Sequence, residues 1–165
     1  MRTRAVAAAL AALSLVGTLA ACSPTVALDP APAASAVGCA AESVSLPDTV
    51  AGLTQRETNA QATAAWGDPA SVVLSCGVAV PAPTATLVCV SVGDVDWLRD
   101  ATDPDRYVFT SYGRDPATAV AINPVTVPAE QALDDLETAV AVTPKNGHRC
   151  TSLEDTTIPT PTATP

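Results

Sequence analysis

From Leu87 to Leu98 the chain reads LVCVSVGDVDWL, and apolar and polar positions alternate on both sides of Gly93-Asp94. A period of two marks a half-buried strand, and a Gly-Asp pair between two such runs marks a two-residue hairpin. Pairing Val92 with Val95 places Val88, Val90, Val92, Val95 and Trp97 on one face. Cys89, Ser91 and Asp96 then point to the other. Upstream, Val72–Val78 is a continuous apolar run that predicts a buried strand, closed by Pro81 and Pro83. Gly52–Thr58 predicts a polar edge strand, Trp66–Pro69 a turn, and Tyr107–Ser111 and Ala119–Ile122 two further strands.

The pattern changes period twice. Ala129, Ala132, Leu133, Leu136 and Val140 recur at helical spacing, with Glu130, Asp134, Asp135 and Glu137 mainly off that stripe. Pro128 suits the first position of this helix, Glu130 suits its positive end, and Pro144 stops it. Cys39–Leu46 predicts a short helix halted by Pro47. There is no internal repeat. The fold class expected is α+β: a small antiparallel sheet of four to six strands, with helices near both ends packed on one face.

The first 21 residues stand apart. Arg2 and Arg4 precede an uncharged apolar run, Ala5–Leu19, that is short of the roughly 20 residues of a membrane span. Leu19-Ala20-Ala21-Cys22 then reads as a lipobox. Residues 1–21 are expected to be a signal peptide, cut before Cys22, whose thiol carries a diacylglyceryl group. Ordinary secretory cleavage after Ala-x-Ala is the competing reading. Two acyl chains suffice for stable anchoring, at about 0.8 kcal/mol per buried methylene, where one alone binds marginally. Residues 22–38, rich in Ala, Pro and Ser, are expected to be a tether, and 39–150 the single folded domain. The Thr/Pro-rich end of residues 151–165 is expected to be disordered, with O-glycosylation or cell-wall contact the alternative.

Composition narrows the function classes. Of 8 basic residues, 6 remain after cleavage, against 17 acidic ones, so the mature chain carries a net charge of −11. That argues against nucleic acid, whose phosphates demand Lys and Arg, and against electrostatic adhesion to anionic lipid. Solubility is the plain reading of the charge, and an acidic face for a basic partner the other. The heavy use of Ala, Val, Thr, Pro and Asp suggests a GC-rich genome, a usage associated with actinobacteria. Two Trp, two Tyr and one Phe leave a thin core, for which covalent staples compensate. Beyond Cys22, the four cysteines Cys39, Cys76, Cys89 and Cys150 are expected to form two disulfides in an oxidising compartment. Three pairings are open. A zinc site would need a closely spaced pair, and none is present.

Each candidate for chemistry has a structural reading beside it. Asp94, Asp96, Asp100, Asp103 and Asp105 form an oxygen-rich stretch. Its spacing fails the EF-hand pattern, so a solvated acidic loop is favoured over a calcium site. His148 lies in a polar turn, and no G-x-S-x-G elbow accompanies it. Trp97 falls on the apolar hairpin face and Trp66 beside a turn; both are read as core rather than sugar platforms. Arg56, Arg99, Arg106 and Arg114 are read as ion-pair partners of the carboxylates. No metal or cofactor is implied.

Cys39 with Leu46-Pro47, Trp66-Gly67-Asp68, Val73-Leu74-Ser75-Cys76-Gly77-Val78 with Pro81, Val92-Gly93-Asp94-Val95-Asp96-Trp97-Leu98 and Val108-Phe109-Thr110 occur in that order. Over Cys39–Val142 this resembles an uncharacterised family of small actinobacterial exported proteins, a domain of unknown function numbered thirty-five fifteen. Members carry cysteines matching Cys39 and Cys76, so the resemblance implies a Cys39–Cys76 bridge and leaves Cys89–Cys150 as an added pair. Such a bridge requires Cys150 to come round a sheet edge, because the hairpin register turns Cys89 away from the helix-covered face. Ser75 stands where the family often has arginine.

These readings lead to a membrane-anchored extracytoplasmic lipoprotein that is a non-catalytic binding or accessory module. It is held to the bilayer through acylated Cys22, with an envelope protein or cell-wall component as partner. The alternatives are an envelope hydrolase or transferase using carboxylates such as Asp68, Asp94 or Asp96, and a small-ligand or calcium-binding lipoprotein.

Overall fold

The computed structural model describes residues 24–151. In chain order the elements are α1 (Val37–Val44), β1 (Thr49–Val50), β2 (Leu53–Arg56), β3 (Thr63–Trp66) and β4 (Val72–Val78). After them come β5 (Val88–Val92), β6 (Val95–Asp103), β7 (Arg106–Tyr112), β8 (Ala117–Ile122) and α2 (Ala129–Val140). All strand pairs are antiparallel, in the order β1-β2-β3-β4-β8-β7-β6-β5. The class is α+β, but the sheet has eight strands rather than four to six. The two additions are β1 and β3. Thr49–Val50 is too short to show a period. Thr-Ala-Ala-Trp shows none, because Ala64 and Ala65 are buried on opposite faces.

The hairpin register matches the sequence expectation, with Val92 opposite Val95, Val90 opposite Trp97 and Cys89 opposite Leu98. Strand β6 continues past Leu98 to Asp103, with a register shift between Asp100 and Asp103.

The core lies on one face. Leu74, Val120, Trp66, Trp97 and Phe109 meet Leu133, Leu136 and Val140 of α2. Helix α2 touches both β1 and β5, so the sheet curls until its two edge strands flank one helix. The acidic side chains off the apolar stripe fasten that closure. Asp135 accepts from the Ala51 amide at 2.7 Å in the β1–β2 turn, and Glu137 accepts from the Asp94 amide at 3.0 Å in the β5–β6 turn.

Helix α1 packs on the same face. Cys76 and Thr118 share the pleat side of Leu74 and Val120, and they take the Cys39 disulfide and a Glu42 hydrogen bond. The segment expected as a tether is hydrogen-bonded to the domain from Pro24 onward. Val26 bridges Thr58, and the Ala33 amide donates to the Gly77 carbonyl at 2.9 Å. Gly77 sits at a β-bulge with φ +89°, where a Cβ would overlap the Ala33 backbone. Among the described residues no helix is long and apolar enough to cross a membrane.

Candidate functional site

After α2 the chain turns from the helix face to the opposite face of the sheet, and this turn builds a polar recess. The passage goes round the ends of β6 and β7 rather than past the β5 edge. Lys145 forms a bridge with Arg114, His148 lies against Tyr112 at 5.5 Å between rings, and Cys150 reaches Cys89. Gly113 permits the crossing: its φ is +81°, and a Cβ there would overlap the His148 carbonyl. The recess encloses about 340 Å³ between Ser91, Asp94, Asp96, Tyr112, Lys145 and His148.

Arg114 braces it from beneath. Its side chain is 3% exposed. Nη1 donates to the carbonyls of Ala141 at 2.6 Å and Thr143 at 2.7 Å. Nη2 donates to the Asp94 carbonyl at 2.8 Å and its carboxylate at 3.0 Å. One planar cation therefore joins the end of α2 to the β5–β6 turn. Lys145 donates to the other Asp94 oxygen at 2.6 Å. That bond, helped by Arg114, holds the Asp94 carboxyl below the usual carboxylate range. Asp96 accepts from the Ser91 hydroxyl at 2.6 Å and the Cys150 amide at 2.7 Å. The recess is thus a rigid surface of half-exposed donors and acceptors.

The chain matches the model of a family described as Protein of unknown function (DUF3515) over residues 3–148. It belongs to that family. No curated protein and no solved structure matches it. In this DUF3515 protein the bridges are Cys39–Cys76, with Cα atoms 5.5 Å apart, and Cys89–Cys150, with 5.6 Å. The first is the bridge the family resemblance implied, and the second lies on the face that the hairpin register assigned to Cys89. Cys22, the signal segment and the end of the tail fall outside the described residues.

The remaining sequence candidates scatter over this DUF3515 fold. Asp94 and Asp96 line the recess. Asp100 turns back on Thr102, whose amide and hydroxyl lower its pKa, and Asp103 accepts from the Asp105 amide at 2.9 Å. Among the described residues no three His, Cys, Asp or Glu side chains are placed to hold a metal ion. Trp66 and Trp97 are both wholly buried, and Trp66 donates to the Pro47 carbonyl at 3.1 Å. The arginines do not gather. Arg56 pairs with Asp68 at 2.8 Å, Arg99 lies over the Tyr107 ring at 5.9 Å, and Arg114 braces the recess. Asp68 therefore sits apart from Asp94 and Asp96, in an open cleft of about 970 Å³ along β2 and β3.

Sequence reasoning passed over Glu42. It is fully buried in α1; Oε2 accepts from the Thr118 hydroxyl at 2.7 Å, and Oε1 has no partner among the described residues. Burial pushes its pKa up to about 7, against a smaller opposing pull from Thr118. The flanking Ala and Ser carried no signal of this.

Proposed function

We propose that this DUF3515 protein is a lipoprotein held by acylated Cys22 on the extracytoplasmic face of the cell membrane. It acts there as a non-catalytic binding or accessory module for an envelope protein or cell-wall component. The observation that carries the binding role is the braced recess on β5–β7. Its polar groups are held in place by Arg114 and by the Cys89–Cys150 bridge before any partner arrives. A preorganised surface loses little conformational entropy on association. The address rests on the Leu19–Cys22 lipobox and the oxidised cysteines.

The test is crosslinking and co-purification from native membranes with wild type, Cys22→Ala and Lys145→Ala. Lys145 is half-exposed, so its removal leaves the core intact. The expected result is a stoichiometric partner captured by wild type, reduced by Lys145→Ala and lost with the unanchored form. A purified domain that turns over an envelope substrate, with Asp94→Asn abolishing turnover in a folded protein, would instead establish the hydrolase or transferase.

A further inference from the structure

The N-terminal segment is sewn to β2 and the turn after it. Arg56 Nη2 donates to the Pro24 carbonyl, and the Val26 amide to the Glu57 carbonyl at 2.9 Å. The Asn59 amide donates to the Val26 carbonyl at 3.3 Å, and the Leu28 amide to Asn59 Oδ1 at 2.7 Å. Pro24 is two residues from Cys22, a reach of at most about 7 Å. The headgroup layer on one side of a bilayer is roughly 5–7 Å deep. On the lipoprotein reading of Cys22, on which this inference rests, no long tether separates the domain from the membrane. A domain fastened at Pro24 cannot lift far from the membrane.

We propose that the cleft along β2 and β3 is the face this domain lays on the bilayer, with the phospholipid headgroup layer as its occupant. Thr25, directly after the fastened proline, is one of the residues that line the cleft. Thr54, Gln55, Thr58 and Thr63 line it with uncharged polar groups, of which the Thr58 and Thr63 hydroxyls already donate to the Thr63 and Ala60 carbonyls. Its one arginine is neutralised by Asp68, which leaves Glu57 as its other charge. The acidic run Asp94, Asp96, Asp100, Asp103 and Asp105 belongs to β6 and its flanks, at the other end of the strand order, where Arg99, Arg106, Arg114 and Lys145 accompany it, so the short reach from Cys22 to Pro24 rather than charge selects the face. The recess on β5–β7 then stays open to an envelope partner.

Carbodiimide footprinting of carboxylates tests this on the mature acylated protein. It is reconstituted in phosphatidylethanolamine–phosphatidylglycerol vesicles and compared with soluble Cys22→Ala. The expected result is a several-fold fall in Glu57 and Asp68 labelling on vesicles, with Asp103 and Asp105 unchanged. Inserting about ten Gly/Ser residues after Ser23, a root-mean-square span of about 17 Å, restores soluble-form labelling without touching the fold. Acylated protein whose Glu57 and Asp68 remain reactive, or in which all four carboxylates are protected together, overturns this inference alone. An intact mass lacking the diacylglyceryl group on Cys22 overturns the lipoprotein reading with it.

Discussion

Glu42 inverts the usual order of a helix. In α1 the valines at 37 and 44 are 87% and 86% exposed, while Cys39 and Glu42 are fully buried. The disulfide to Cys76 determines which face turns inward, and the carboxyl is carried in with it. Its pKa is raised to about 7 from an ordinary 4.5. The folded state therefore keeps a proton that the unfolded chain releases between those values. Stability is highest below about pH 4.5 on this account and falls as pH rises through 7, by about 3 kcal/mol at most. Glu42→Gln retains an acceptor for Thr118 and cannot ionise, so it should flatten the slope and be the more stable protein at pH 8. Urea unfolding at pH 5 and pH 8 checks this, and parallel pH dependence in both proteins would refute it. The same scale limited the sequence reading. Trp66 and Trp97 announced themselves by size and pattern, whereas Glu42 and Arg114 become important only through carbonyls, hydroxyls and cysteines distant in the chain.

At the scale of elements, strands with a visible period were legible. The β5–β6 register and the bounds of β4 follow from alternation and turn residues within one short stretch. β1 and β3 were not, because two residues or a run of small side chains carry no period. The bulge at Gly77 is an element-level device, since it lets residues 33 and 34 pack on the end of β4 and lead into α1. Gly77→Ala introduces a Cβ at positive φ into that contact and should cost about 2 kcal/mol or more. Hydrogen exchange should rise in residues 33–36 before it rises in β8. An unchanged melting temperature would show that the segment is not packed there.

For the whole molecule, two staples link what the strand order alone leaves apart. Cys39–Cys76 attaches the first helix, and Cys89–Cys150 fastens the last segment over the outer face of the sheet. The second closes a loop of sequence separation 61, for which chain entropy sets a ceiling of about 4 kcal/mol. Cys89→Ala with Cys150→Ala should lower stability by up to that amount and loosen residues 144–151, while β4 and β8 keep their protection. Exchange mass spectrometry reads both effects. Uniform loosening of the sheet would mean that the bridge supports the core rather than the recess.

The sequence by itself determined the class, six of the eight strands, both helices, the hairpin register, the even set of staple cysteines and the family. The elements and the register follow from signals contained within a short stretch, namely periods of two and 3.6, turn chemistry and proline stops, while cysteine parity and the order of landmarks are read along the whole domain without its fold. Only the tertiary structure decided that β4 lies beside β8, which brings Glu42 to Thr118. It alone curled the sheet until Asp135 and Glu137 could fasten both edges, routed the last segment round Gly113, and set Pro24 against Arg56. These are contacts between residues tens of positions apart. They exist because burial and loop closure are settled over the whole chain at once, so no local window of sequence contains them.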